Sequence, residues 1–379
     1  MSETIIFTRY LYLKDEVSIS IIISLINKNE NALYWAYELY YSGFEEELFG
    51  HLWKIYYDFY YTLNSGFQDY FIKKYKEWKT LRDDKIVGLI INNLLIRPHN
   101  LDIFMLRQCV KKSSKDTIVN SFGYILENRD LLEISKYIFE RKDDIAVISE
   151  SIQFFIGKGL KIDPSKFLKR WKKMTGYLQI DKNIQILAWI IHNFSQLDNI
   201  KMGKNMYISV EHDEFVKYET ICIDDSKRFR AYQILPVAYK HKIDEYNYLS
   251  LFYLERNKIL TDNNNLKKIY WYNWEYYAAL SPIWLARIKQ YNGILNHQTK
   301  KLVFSKELEE ELEEELDNMD AFYYHFGYEP DEQKTEIQEH SIQEIKCQRT
   351  WSKFYEDHKN NGIFKPDSAF LEQLICINY

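Results

Sequence analysis

The sequence predicts a mainly α protein, an irregular α-solenoid or a helical bundle made of antiparallel helix pairs. Three observations carry this. Apolar residues recur at helical spacing over about residues 14–200. Gly and Pro are scarce, 12 and 6 in 379 residues, whereas all-β folds use both at their many turns. Candidate helices are separated by only a few residues, which sets neighbours side by side and antiparallel. A small β-hairpin insert and an acidic C-terminal helix complete the expectation. The chain divides in order: 1–200, a helical-pair array; 201–300, a mixed α/β region; and 301–379, an acidic helix, a linker and a C-terminal docking segment.

The clearest helix runs over 45–63. Leu48, Leu52, Ile55, Tyr56, Phe59 and Leu63 fall on one stripe. Phe49, Trp53, Tyr57 and Tyr60 make a second stripe beside it, so this helix must meet neighbours on two sides. Glu45, Glu46 and Glu47 crowd its first turn, where the helix dipole favours negative charge. The preceding helix, 31–42, has Asn31 as N-cap and Gly43 as the residue past its end. Further pairs follow: 68–82 before 84–95, stopped by Pro98; 116–127 before 130–141; and 144–157 before a helix opened by Asp163-Pro164, a cap followed by proline at the first helical position. Residues 182–194 carry Ile184, Ile186, Leu187, Trp189, Ile190 and Ile191, an apolar set that places this helix centrally.

The pattern changes near 203. Residues 207–211 and 215–223 are β-branched and partly alternating, with His212-Asp213-Glu214 between them, and are read as the hairpin, which 229–239 extends. Helices return at 246–257, 265–280 and, after Pro282, 283–291. Residues 306–340 hold 14 acidic side chains against Lys306 and Lys334, a local charge of -12 in a chain of net -5, so everything else sums to +7. Within that stretch 307–317 is read as the acidic helix, with Leu308, Leu312 and Leu316 on one edge. Residues 329–345 read as a linker. A last helix begins near Thr350, and 370–379 is apolar enough to dock on the body.

Composition bounds the function. The chain is 46% hydrophobic and 28% charged, the balance of a globular protein with a core, and its mean hydropathy is -0.44. Cys109, Cys222, Cys347 and Cys376 form no C-x-x-C pair, which fits a reducing compartment and a cytoplasmic location. The apolar runs 19–26 and 184–194 fall short of the ~20 residues a membrane span needs. No phosphate loop is present: Gly157-Lys158-Gly159 reads as a helix end and turn. The 9 histidines are scattered without an H-E-x-x-H, and His212-Asp213-Glu214 reads as a polar turn. No serine sits on a recognisable elbow or beside a base. No metal, cofactor or catalytic residue is therefore expected.

Two stretches interleave basic and aromatic residues. Lys73, Lys74, Lys76, Lys79 and Arg82 surround Tyr70, Tyr75 and Trp78. Lys166, Lys169, Arg170, Lys172 and Lys173 surround Phe167 and Trp171. Lysines neutralise phosphates and aromatics stack on bases, so Lys73, Lys76, Lys79, Lys169, Arg170 and Lys173 are candidate nucleic-acid contacts. The alternative is an amphipathic helix with its rings in the core and its lysines in water. The acidic helix is a solvated spacer, a cover for a basic stretch of its own chain, or a binder of a basic partner. Tyr34-x4-Leu39-Tyr40 and Tyr246-x4-Leu251-Phe252 match the Tyr-x4-Leu-apolar pattern that some translation factors present on a helix. Leu308, Leu312, Leu316, Tyr246, Leu251 and Phe252 are thus candidate protein-partner contacts.

The runs Ala32-Leu-Tyr-Trp-Ala-Tyr-Glu-Leu-Tyr-Tyr-Ser-Gly43-Phe44 and Phe326-Gly-Tyr-Glu-Pro-Asp-Glu-Gln333 resemble segments of uncharacterised proteins from giant and other nucleocytoplasmic large DNA viruses. The abundance of Asn, Ile, Lys and Tyr is similar to AT-rich members of that group. The resemblance covers about 21 of 379 residues and transfers no functional residue. It implies a host-cytoplasm or virion setting. The first functional expectation is a non-enzymatic scaffold or adaptor that binds protein partners in viral gene expression, translation included, or in assembly. The second is a nucleic-acid-binding protein, and the third an enzyme with an unfamiliar site.

Overall fold

The computed structural model describes residues 5–112, 120–140, 144–175, 181–219, 234–243, 248–254, 266–304, 318–326, 334–337 and 349–379. It is mainly α, with one two-stranded antiparallel hairpin among the described residues. The chain divides into two compact units, neither continuous in sequence. The first takes residues 1–48, 210–348 and 378–379, and the second 49–209 and 349–377. The three-part division expected from the sequence follows the chain in order; these units do not.

In the first unit, α1 (Lys14–Ile26) and α2 (Asn31–Tyr41) pack on each other; the pairing expected from the sequence is that of 31–42 with 45–63. Asn31 is the first helical residue rather than the cap, and its N–H donates to the Asn29 side chain at 2.9 Å. The chain ahead of α1 is held by a buried ion pair. Arg9 Nε lies 2.8 Å from a Glu38 carboxylate oxygen, and the Tyr10 N–H donates to the other at 3.0 Å. Arg9 also donates to the Tyr218 carbonyl at 2.7 Å. Hydrogen bonds of this kind offset part of the cost of burying the two charges.

α12 (His212–Glu219), α13 (Ile234–Lys240), α14 (Leu266–Ala278), α15 (Pro282–Gln290), strands β1 (Gly293–Asn296) and β2 (Lys301–Phe304), and α16 (Asn318–Phe326) complete this unit's elements. Trp274, Trp284, Tyr270 and Phe322 join Phe7 and Leu13 in one apolar core. The hairpin is real but lies elsewhere than expected. Residues 212–219 are helical because Glu211 and Glu214 close the first turn, the Glu211 N–H donating to the Glu214 side chain at 3.0 Å. Residues 234–240 are helical too, and 220–233 lie outside the described residues. The true turn is 297–300, where Asn296 Oδ1 accepts the Gln298 and Thr299 N–H groups, both at 3.0 Å. The helix expected over 246–257 is, where described, a short 3-10 turn at Leu249–Leu251.

In the second unit, α3 (Glu45–Ile55), which crosses the division at Leu48, runs on into a π turn over Tyr56–Tyr60, where the Tyr61 N–H reaches the Tyr56 carbonyl at 2.7 Å. Both stripes are buried as expected. α4 (Phe67–Leu81) lays its rings on this helix: Phe71 stacks on Trp53 at 3.6 Å, and Trp78 lies 4.1 Å from Phe49. α5 (Lys85–Leu95), α6 (Asp102–Lys112), α7 (Phe122–Asn128), α8 (Leu131–Glu140), α9 (Asp144–Gly157), α10 (Pro164–Thr175) and α11 (Lys182–Leu197) follow. α6 packs on α8, α7 on α9, and α11 on α6, α8 and α9, the central place read from its apolar girth. Residues 207–211 are extended but unpaired. Asn93 takes the role of a neighbouring strand, exchanging two hydrogen bonds with Ile208 at 3.0 and 3.2 Å. The segment 349–377 carries the expected helix, Trp351–His358, capped by Thr350. Asp102 anchors it by accepting the N–H groups of Ile363 and Phe364 at 3.0 and 3.1 Å.

Gly43 ends α2 at φ +90, and a Cβ there would lie 2.5 Å from Pro282 Cβ. Conformation and contact both demand glycine. Gly43→Ala is expected to cost about 2–4 kcal/mol, read as a lower urea midpoint. Gly50 is helical with open space around it, so Gly50→Ala raises stability by about 0.5–1 kcal/mol in the same assay.

Candidate functional site

α11 is buried almost all round, yet Gln185, His192, Asn193 and Gln196 recur at i, i+7, i+8 and i+11, one polar stripe on an apolar helix. That stripe faces a cavity of about 330 Å³ in the second unit. The size suits one small ligand or one nucleotide-sized moiety. Phe167 and Trp171 from α10, Trp189 from α11, and Tyr57 and Tyr61 from the end of the α3 helix supply aromatic wall. Lys161 and Lys166 stand exposed at the rim, with Asp163 between them.

The sequence places these groups by local rules. Asp163 caps α10 as expected, its carboxylate accepting the Lys166 N–H at 3.0 Å. This aims Lys166, Phe167 and, one turn on, Trp171 along one side of α10. Asn193 donates to the Trp189 carbonyl at 2.7 Å, and Gln196 Nε2 lies 3.1 Å from His192 Nε2. The amide oxygens of both remain as acceptors for a ligand.

His192 is the best-defined group. Its Nδ1 is 2.7 Å from the Thr62 carbonyl oxygen, so Nδ1 carries the proton and Nε2 keeps its lone pair. Ser65 Oγ lies 3.0 Å from that Nε2 and shares its lone pair with the Gln196 amide nitrogen at 3.1 Å. The ring is 7% exposed, and burial holds its pKa below the ordinary value, with the Thr62 carbonyl opposing.

Of the residues picked out beforehand, the structure divides the two basic stretches. In α10, Lys169 is exposed, and the side chains of Arg170 and Lys173 lie outside the described residues. In α4, Lys73 and Lys79 are exposed and Lys76 is half-buried, but Trp78 is fully buried, and Lys74 pairs with Glu77 at 2.8 Å. None of the α4 lysines lines the cavity. In the first unit, Leu251 and Phe252 are both 1% exposed, and Tyr34 and Leu39 are buried as core residues. Tyr246, Leu308, Leu312 and Leu316 lie outside the described residues. Among the described residues no group of three His, Cys, Asp or Glu could hold a metal, and no helix is long and apolar enough to cross a membrane.

No family model, no curated protein and no solved structure matches this chain.

The depressed His192 pKa has a consequence for stability. The folded state disfavours the imidazolium, so this contribution is full above about pH 6.5 and is lost as the pH falls through the lower folded pKa. The urea midpoint of the second unit should drop between pH 7.5 and 5, and His192→Gln should remove part of that drop. Identical pH slopes in the two proteins would contradict the assignment.

Proposed function

We propose that the protein binds single-stranded nucleic acid and seats one unpaired nucleotide in the cavity of its second unit. One observation carries this reading: α10 presents Lys166, Phe167 and Trp171 to the same cavity, with Lys161 beside them. A flat base gains from the aromatic wall, and a phosphate gains from the rim lysines. Asn193 and Gln196 offer side-chain oxygens that a base amino group can reach. A cavity of about 330 Å³ is too small for a duplex, so the preference is for single strands and free nucleotides.

The scaffold reading takes the concave face of the helix array and the acidic helix, with its leucine edge, as working parts; of these the acidic helix and its leucines belong to 305–317. These lie outside the described residues, and the structure adds no observation in its favour. The cytoplasmic and viral settings belong to the proposal only through cysteine usage and the resemblance already given.

The test is fluorescence anisotropy with labelled ten-nucleotide DNA and RNA at about 50 mM salt, where phosphate contacts are strongest. Lys161→Glu with Lys166→Glu should weaken binding at least tenfold and flatten its salt dependence. Trp171→Phe should weaken it less. Lys73→Glu with Lys79→Glu should leave it nearly unchanged, because neither residue lines the cavity. Absence of binding by the wild-type chain, or equal losses from both lysine pairs, would sink this reading.

A further inference from the structure

Ser65 and His192 are 127 residues apart in sequence and meet at 3.0 Å on the wall of the same cavity. Three features set this pair apart from an ordinary serine–histidine contact. The ring is oriented by a third group, the Thr62 carbonyl at 2.7 Å, so that its basic nitrogen faces the hydroxyl. Ser65 is only half-buried and lines the cavity, so its oxygen is within reach of a bound molecule. Gly66 follows Ser65 directly and lines the same cavity, with the Asn205 side-chain oxygen packed against it. It stands at the start of the 15-residue helix α4, at the positive end of its dipole. In known serine hydrolases the N–H after the nucleophile is one of the donors that hold the developing oxyanion.

We propose that Ser65 is a nucleophile for acyl transfer, that His192 is its general base, and that a small carboxylic ester is the substrate. The ester's flat or apolar part lies against Phe167, Trp171 and Trp189. Ser65 Oγ forms a bond to the ester carbonyl carbon, and its proton moves to His192 Nε2. The carbonyl oxygen, now negative, is met by the Gly66 N–H. The carbon–oxygen bond to the leaving group breaks, and the imidazolium gives its proton to the departing alkoxide. Water then attacks the acyl-serine, losing a proton to Nε2, which returns it to Ser65 Oγ. The sum is ester plus water to acid plus alcohol. Burial supports the role of His192, since it keeps the ring neutral and ready to accept a proton at neutral pH. A carboxylate product finds Lys161 and Lys166 at the exit. The inference uses the cavity but does not require that a nucleotide be its usual occupant.

The test uses the full chain with a fluorophosphonate probe and peptide mapping, alongside p-nitrophenyl acetate hydrolysis. An adduct on Ser65 is expected, absent in Ser65→Ala. In His192→Gln, whose amide can still donate to the Thr62 carbonyl, labelling and hydrolysis should fall at least 100-fold. Labelling should stay flat as the pH falls through the ordinary imidazole range and decline only at lower pH, where the depressed His192 titrates. A second variant, Ser65→Cys, reads activation without an ester: its thiol should alkylate with iodoacetamide faster than free cysteine at pH 6, and His192→Gln should abolish the difference. The proposal is overturned if the folded wild-type chain shows no Ser65 adduct, or if the adduct forms equally fast without His192. Oligonucleotide binding is read separately and should survive Ser65→Ala, so the two proposals fail independently.

Discussion

The end of the α3 helix is buried, and a buried helix end must find donors for its last carbonyls. Much of the second unit answers that demand. The Phe59 carbonyl takes the Asn100 N–H at 2.9 Å, and the Tyr60 carbonyl takes the Asn64 side chain at 2.8 Å. The Thr62 carbonyl takes His192, the Leu63 carbonyl takes the Gly203 N–H at 2.8 Å, and the Asn64 carbonyl takes the Tyr56 hydroxyl at 2.9 Å. Asn64 and Tyr56 are local, but the other three donors come from separate stretches of chain, so satisfying one helix end draws the loop after α5, the middle of α11 and the segment near 203 to one place. Each such bond contributes about 1 kcal/mol net, but leaving a carbonyl orphaned costs more than that. The orientation of His192, and hence its approach to Ser65, follows from this accounting.

How much was legible in the sequence can be argued from particular residues. The mainly α class followed from periodicity and from the shortage of Gly and Pro, because burial of an apolar stripe is a local, repeating requirement. Glu45 to Phe59, the Asp163-Pro164 start, Pro282 at a helix start and the Thr350 cap were readable for the same reason. The hairpin was misplaced because β-branched residues at 207–211 carry a strand's look without a strand's partner. Asn93 supplies the bonds instead, and no spacing rule announces a side chain standing in for a strand. The turn at 297–300 was quiet because its signal is one asparagine side chain.

The cavity was half legible. Both basic–aromatic stretches look alike on paper, yet their rings have different fates. In α4 the rings meet those of α3, and the helix spends its aromatic face on the core. In α10 the rings line a cavity that α11 leaves incompletely filled. The difference lies in what stands opposite each helix, which is information held by the partner. The Ser65–His192 pair was invisible as a pair, but the polar stripe on α11 was there to be read. Four polar side chains aligned along an otherwise apolar helix cost too much to bury unless something meets them.

The discontinuity of the two units bears on the order of synthesis. Residues 1–48 are made before the rest of their unit, and they include Ile19, Ile21, Ile22, Ile23, Leu25 and Ile26, all buried in the finished first unit. Their companions in that unit begin only at Val210. At ~5–20 residues per second, α1 and α2 wait roughly 8–30 s while the intervening chain is made. The second unit in turn stays open until Arg349–Ile377 is made. A chain with this interleaving keeps the isoleucine-rich α1 waiting for the later part of its unit, a longer exposure than in a chain whose units close in order.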